Sequence, residues 1–326
     1  SWQRQIILET IQEHKEHLSA QQIYGYARER CPHISLGTVY RNLNTLADNE
    51  KNVETEEMKR IYIMSLLAAG IISMCCSCKS TKKADNDTET MVAVGPEFNA
   101  DSAYLFCEKQ CDFGPRTMNS DAHDKCGAWI VDKFKQYGCS VIEQKADLKA
   151  YDGTMLKSNN IIASYKPELT TRILLCAHWD CRPWADNDPD STNWRKPVMG
   201  ANDGASGIAV MLEIARQLQK SDSLNIGVDF VCFDAEDWGI PQWSDAEDNG
   251  DSWALGAQYW AENPHKAGYE ARFGILLDMV GGTGARFYQE GMSKQYAQPI
   301  VNKIWTAARA AGYESLFPNE QGGYVT

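Results

Sequence analysis

Hydrophobic positions along this chain change their spacing several times, and each spacing predicts a different element. Two short runs, residues 173–177 and 228–233, are rich in Val, Ile, Leu and Phe and have the length of buried strands. Each ends abruptly in charge: His178 and Asp180 follow the first, Asp234, Glu236 and Asp237 the second. Between them a glycine-punctuated turn carries Asp203 and opens a helix with Ile208, Met211, Leu212, Ala215 and Leu218 on one face. Strand, acidic loop, helix, strand and acidic loop make a βαβ unit, and open α/β sheets place their chemistry just beyond the strand ends.

The flanking pattern extends this unit. Residues 101–110 and 124–137 are amphipathic helices, the second grouping Ile130, Phe134 and Tyr137 and stopping at Gly138. Residues 141–149 and 160–165 alternate as strands, 272–277 add another, and 295–311 form a last helix with Ile300, Ile304, Trp305 and Ala308. The expected fold class over residues 98–326 is α/β, with a mixed, mostly parallel sheet flanked by helices.

The first hundred residues differ in character. Residues 4–14, 19–30 and 35–49 read as helices, with Ser19 and Ser35 placed as N-caps. In residues 58–78, Lys59 and Arg60 precede an apolar run at 61–74, and cysteines stand at 75, 76 and 78. The run is short for a membrane span and has the length of a secretory signal core. A cysteine just after it resembles a bacterial lipoprotein processing site; Cys78, behind the small Ser77, is the expected lipidation point, with Cys75 and Cys76 as alternatives. Residues 79–97 are polar and aperiodic, as in a tether. The expectation is an exported lipoprotein, anchored in a membrane through its lipid and facing the periplasm or cell surface. Met58 is then the natural start, with residues 1–57 joined to it by a gene-model error; a true fusion is the alternative.

Composition changes this picture in two places. A formal charge of −12 over 326 residues argues against nucleic acid as the partner of the main domain. Of 11 cysteines, seven lie beyond the tether, with no CxxC pair among them, which disfavours a cysteine zinc site. Cys176 and Cys232 fall inside the buried strands and read as core. What remains is His178, Asp180, Glu236 and Asp237 at strand ends and Asp203 in the turn between them, a donor set suited to a divalent metal such as zinc. An acid at the rim of a buried strand is costly unless paired or metal-bound, and adjacent Glu236–Asp237 offers one group to a metal and one to proton transfer.

The words HWD (178–180), GANDGASG (200–207), DAEDWG (234–239) and LLDMVGG (276–282) resemble the zinc-dependent M28 peptidase family. Within it they are most similar to the glutaminyl cyclase branch, as is CDFGPR at 111–116; the resemblance runs from about residue 98 to the end. It implies that Asp203 and Asp237 are zinc ligands, that Glu236 is the general acid/base, and that Asp278, facing the same site, is a second catalytic group that hydrogen-bonds the reacting groups and favours a protonated Glu236. The third ligand, a His, is expected beyond Thr326, so the catalytic domain reads as incomplete and impaired; His265 reads as a surface residue at a helix end. In the family's aminopeptidases the positions of His178 and Asp278 help hold a second zinc, supported by Asp180, whereas the cyclases imply one zinc. Three features favour the cyclase: Asp237 rather than Glu as the second acid, the Trp- and acid-rich insertion after it, and Trp243 near an aromatic pocket wall. The implied reaction closes an N-terminal glutamine of a peptide or protein to pyroglutamate with loss of ammonia; an M28 aminopeptidase is the alternative.

Residues 1–50 carry a second resemblance. LSAQQIYGYARE and ISLGTVYRNLNTLAD are similar to the winged helix of the ferric uptake regulator family, with residues 35–46 in the place of the recognition helix. The likeness breaks off after about Asn49, and the segment carries five basic against six acidic residues, so a DNA-binding regulator is the third and weakest expectation.

Overall fold

The computed structural model describes residues 6, 7, 9, 10, 20–31, 96–220, 224–246 and 251–324. The helix expected at 35–49, the apolar run 61–74 and Cys78 lie outside these residues. The chain divides into two compact units, residues 1–90 and 91–326. In the first, α1 (Ala20–Arg30) buries Ile23 and Ala27, Ile6 and Ile7 are also buried, and Arg30 pairs with Glu9 at 2.5 Å. No described helix is long and apolar enough to cross a membrane.

The second unit is a five-stranded mixed sheet with helices on both faces. Its order is β1 (Ser140–Lys149), β2 (Met155–Tyr165), β4 (Gly227–Phe233), β3 (Arg172–His178), β5 (Gly274–Leu276). β1–β2 and β2–β4 are antiparallel; β4–β3 and β3–β5 are parallel. The helices are α2 (Ala100–Asp112), α3 (Asp121–Gln136), α4 (Ala205–Leu218), α5 (Leu255–Glu262) and α6 (Gly291–Ala310).

Local chemistry sets the helix ends. Asn99 Oδ1 accepts from Ser102 N (2.8 Å) and Ser120 Oγ from His123 N (3.2 Å), capping α2 and α3. α3 has Asp121 and Asp124 in its first turn and Lys133 and Lys135 in its last, matching its dipole. α6 begins four residues earlier than its apolar period predicts, because Glu290 accepts from Met292 N and Ser293 N. It is interrupted at Ala297, two residues before Pro299, where the helix loses a donor.

Strand alternation divides the core. Ile161, Ala163, Leu175, Ala177, Val228, Phe230 and Cys232 face α3 and α4, meeting Ile130, Phe134, Ile208, Met211 and Leu212. The alternate positions Ile162, Cys176 and Val231 face Trp260 of α5. Covering both faces explains why β3 and β4 read as near-continuous apolar runs. Beneath them Arg172 binds Asp229 through two 2.6 Å bonds, and Ser164 Oγ donates to the same carboxylate. Cys176 and Cys232 are core, and all eight described cysteines are free thiols.

Candidate metal centre

β3, β4 and β5 run parallel, so their carboxyl ends deliver residues to one place. His178 ends β3 with its side chain 4% exposed, and Asp203 Oδ1 lies 2.8 Å from its Nε2. Asp278, just beyond β5, puts Oδ1 3.5 Å from the same nitrogen. The three offer ligand atoms within 4.8 Å of one another. Asp203 stands off the direction of a hydrogen bond, so Nε2 is buried without a hydrogen-bond partner. A buried ring nitrogen flanked by two carboxylates yet bonded to neither suits a cation among them. Asp203, Glu236 and Asp278 are 33–44% exposed, leaving the centre open on one side.

Two backbone devices hold this arrangement. Gly204, at φ 94°, starts α4, and a Cβ there would meet Asp180 O at 2.6 Å and His178 Cε1 at 3.2 Å. Asp180, fully buried, accepts from Glu236 N on one oxygen and Asp237 N on the other, both at 3.1 Å, and lies 3.4 Å from His178 Nδ1. Ala235 is forced to φ 51° in the turn that presents the acid pair.

The electrostatics are those of a carboxylate cage. Burial works against a charged His178, yet Asp180, Asp203 and Asp278 outweigh it and hold the imidazole well above its ordinary value. Burial pushes Glu236 up to about 7; the His178 charge opposes this, and Asp180, Asp203 and Asp278 add to it. Asp237 is raised well above the carboxylate range by burial and then by Asp203, Glu236 and Asp180. Like charges packed this closely favour a bound cation.

The structure therefore brings together His178, Asp203 and Asp278, with Glu236 Oε2 3.7 Å from His178 Nδ1 and Asp180 behind. Asp237 is not a member of the three-residue group; its Oδ1 is 3.8 Å from Arg182 Nη1. Trp243 stacks on Trp194, meets Trp184 edge-on, and lies under the Arg195 guanidinium at 3.9 Å. His265 is not a free surface residue: it accepts from Trp260 Nε1 and packs on Tyr269. Sequence reasoning missed Arg182, which binds Asp186 bidentately and the carbonyl of Asp237, tying the β3 exit to the insertion after the acid pair. It also missed the buried pair of His123 and Asp234, 2.9 Å apart, with His123 stacked on Trp179. Neither arginine nor histidine occurs there at a spacing that marks it.

Carboxylates and a histidine converging beyond the carboxyl ends of neighbouring strands, in a helix-covered α/β sheet, suit a divalent-metal site. Residues 160–325 match the model of peptidase family M28. The chain belongs to that family. It is 51% identical to Bacteroides thetaiotaomicron glutaminyl cyclase, solved with N-acetylhistamine, over 71% of this chain and 79% of that one, with a TM-score of 0.70. A Zn-dependent exopeptidase from Parabacteroides distasonis is 49% identical over 72% of this chain and 79% of that one, TM-score 0.70. The aminopeptidase YwaD of Bacillus subtilis is 29% identical over 64% of this chain and 41% of its own length. The chain spans less than half the length of the curated relatives it matches. Residues 1–91 match the ferric uptake regulator family, a longer stretch than the words that carry the likeness.

Proposed function

We propose that the second unit is a zinc-dependent glutaminyl-peptide cyclotransferase. The observation that carries this reading is the aromatic cluster that continues from the acid pair. Directly after Glu236–Asp237 the chain packs Trp238 and Trp243 edge-on against Trp184, with Trp194 stacked on Trp243 and Arg195 over its ring. Arg182 fastens that wall to the backbone of Asp237. Such a wall suits a short side chain folded back on its own amine, and the 51% identical cyclase supports the reading.

Asp203 would hold the zinc, with Asp237 as the family likeness implies and with His178 and Asp278 converging on the same place. Bound there, it supplies a Lewis acid for the γ-carbonyl of the substrate glutamine. The substrate's own α-amine is the nucleophile, so proximity is built into the substrate and no activated water is needed. As the amine nitrogen bonds to the γ-carbon, Glu236 accepts the amine proton. It then returns that proton to the departing amide nitrogen as the C–N bond breaks and ammonia leaves. A carboxyl near pH 7 in its protonation equilibrium is suited to both halves of that exchange. Asp180 keeps Glu236 in place through its backbone N–H.

An aminopeptidase is the second reading, favoured by the three convergent ligands and by the relatives named exopeptidase and aminopeptidase. Assaying the zinc-loaded chain separates them by product, at whatever rate it retains. Gln-Xaa dipeptides should release ammonia with the peptide bond intact, and Glu236→Gln should lower the rate by about 10²–10⁴ while zinc is retained. Free leucine from Leu-Xaa peptides, without ammonia from Gln-Xaa, would decide for the aminopeptidase.

A further inference from the structure

Arg116, the last residue of the CDFGPR stretch, takes no part in the reaction outlined above. Its side chain is fully buried, and its hydrogen bonds go to backbone carbonyls rather than to an acid. A buried guanidinium without a counter-charge is costly, so a structural use for its donors is expected. Those donors reach two separate loops. Nε donates to Trp179 O at 3.3 Å, Nη1 to Met199 O at 2.6 Å, and Nη2 to Gly200 O at 2.6 Å. The backbone carbonyl of Arg116 also accepts from Cys181 N at 3.1 Å.

The loops it joins are those of the metal centre. Trp179 sits between His178 and Asp180, and Met199–Gly200 open the turn that presents Asp203. Two thiols reinforce the same turn: Cys107 Sγ donates to Ala201 O (3.1 Å) and Cys181 Sγ to Met199 O (3.4 Å). Three successive carbonyls, 199 to 201, are thus held by side chains from below. Only the planar fork of arginine can address two adjacent carbonyls and a third on another strand exit; a lysine ammonium is a point charge on a flexible stem.

We propose that Arg116 is a positioning residue for the metal centre, fixing the Asp203 turn against the β3 exit so that Asp203 Oδ1 meets His178 Nε2. The inference rests on the reading of Asp203 as a metal ligand and is independent of the substrate. Supporting groups outside the ligand set typically change metal affinity by about 10–100-fold.

The test measures Zn²⁺ affinity by competition with a chromophoric chelator, alongside urea unfolding, for the full chain and for Arg116→Lys and Arg116→Met. Arg116→Lys should bind Zn²⁺ about tenfold more weakly, and Arg116→Met more weakly still, toward the hundredfold limit. If Arg116→Met does not fold, Arg116→Lys decides alone. Variants that lose stability but bind Zn²⁺ within twofold of wild type would overturn the proposal, because a merely structural arginine predicts that result. Wild-type protein that binds no Zn²⁺ would overturn the metal reading and this proposal with it.

Discussion

Gly207 is the point where α4 comes nearest to the strand end that presents Asp278, and Gly207→Ala tests how far that approach controls the site. A Cβ at this position would fall well inside contact distance of the Leu277 carbonyl oxygen and 2.8 Å from Ala177 Cβ. Carbon atoms rest at about 3.5–4.0 Å, so the helix or the 277–281 segment must move by roughly 1 Å. Two effects compete. Alanine in a helix gains up to about 1 kcal/mol over glycine. Overpacking costs about 1–3 kcal/mol, and here at the upper end, because the obstacle is a backbone carbonyl that cannot rotate away. The clash should win, with a net loss of about 1–2 kcal/mol in urea unfolding. The displacement should also reach the metal centre. Ser206 Oγ accepts from Val280 N at 3.1 Å and Asn202 Oδ1 from Gly281 N at 2.8 Å, so helix start and acidic loop are stapled together. Zinc affinity should therefore fall by about tenfold, as for other changes in ligand support. A more stable protein with unchanged zinc affinity would refute this account, since it would mean the segments yield freely.

Two further outcomes follow from charges. Asp229 is buried with Arg172, and Asp229→Asn should cost about 3–5 kcal/mol at neutral pH, because it leaves the guanidinium uncompensated. Burial alone would raise Asp229, but Arg172 and Ser164 hold it below its ordinary value, so its contribution is complete above about pH 4 and is lost as pH falls through the native value. The gap between wild type and variant should narrow below that pH; a gap constant from acid to neutral would contradict the assignment. Removing zinc should lower the unfolding temperature, since Asp180, Asp203, Glu236, Asp237 and Asp278 are then left to repel one another. Zinc at about 100 times its Kd should restore about 2.7 kcal/mol, and a transition indifferent to both chelator and zinc would count against the site.

What the sequence disclosed and what it hid have a common physical origin. Buried strands ending in charge are conspicuous because apolar runs and charge seldom meet without cause, and His178 and Glu236 stand out on that ground, with Asp203 marked by its glycine-rich turn. The polar half of β2 did not: residues 155–159 are strand only because β1 pairs with them, Lys149 opposite Met155, across a tight turn at Gly153. α5, at eight residues, is too short to show a period and follows a left-handed Ala254. Arg116 was invisible because its partners are backbone carbonyls, which every sequence has, and Arg182 because nothing in the spacing marks its pairing with Asp186. How Asp237 and Asp278 lie about His178 and Asp203 is set by tertiary packing, and no spacing encodes that.

Six thiols of the second unit form a set of internal reporters at graded depth. Burial pushes Cys107 up to about 11 and Cys126, Cys139, Cys176 and Cys181 up to about 12, and holds Cys232 well above its ordinary value. A thiol reacts as thiolate and only when reached, so alkylation of each must wait for its own part of the fold to open. Cys107 records the loosening of the α2 contact with the Asp203 turn, Cys181 the opening of the β3 exit, and Cys232 the rupture of the central sheet. Alkylation rates read cysteine by cysteine would give the order in which this molecule comes apart, with no label added to it.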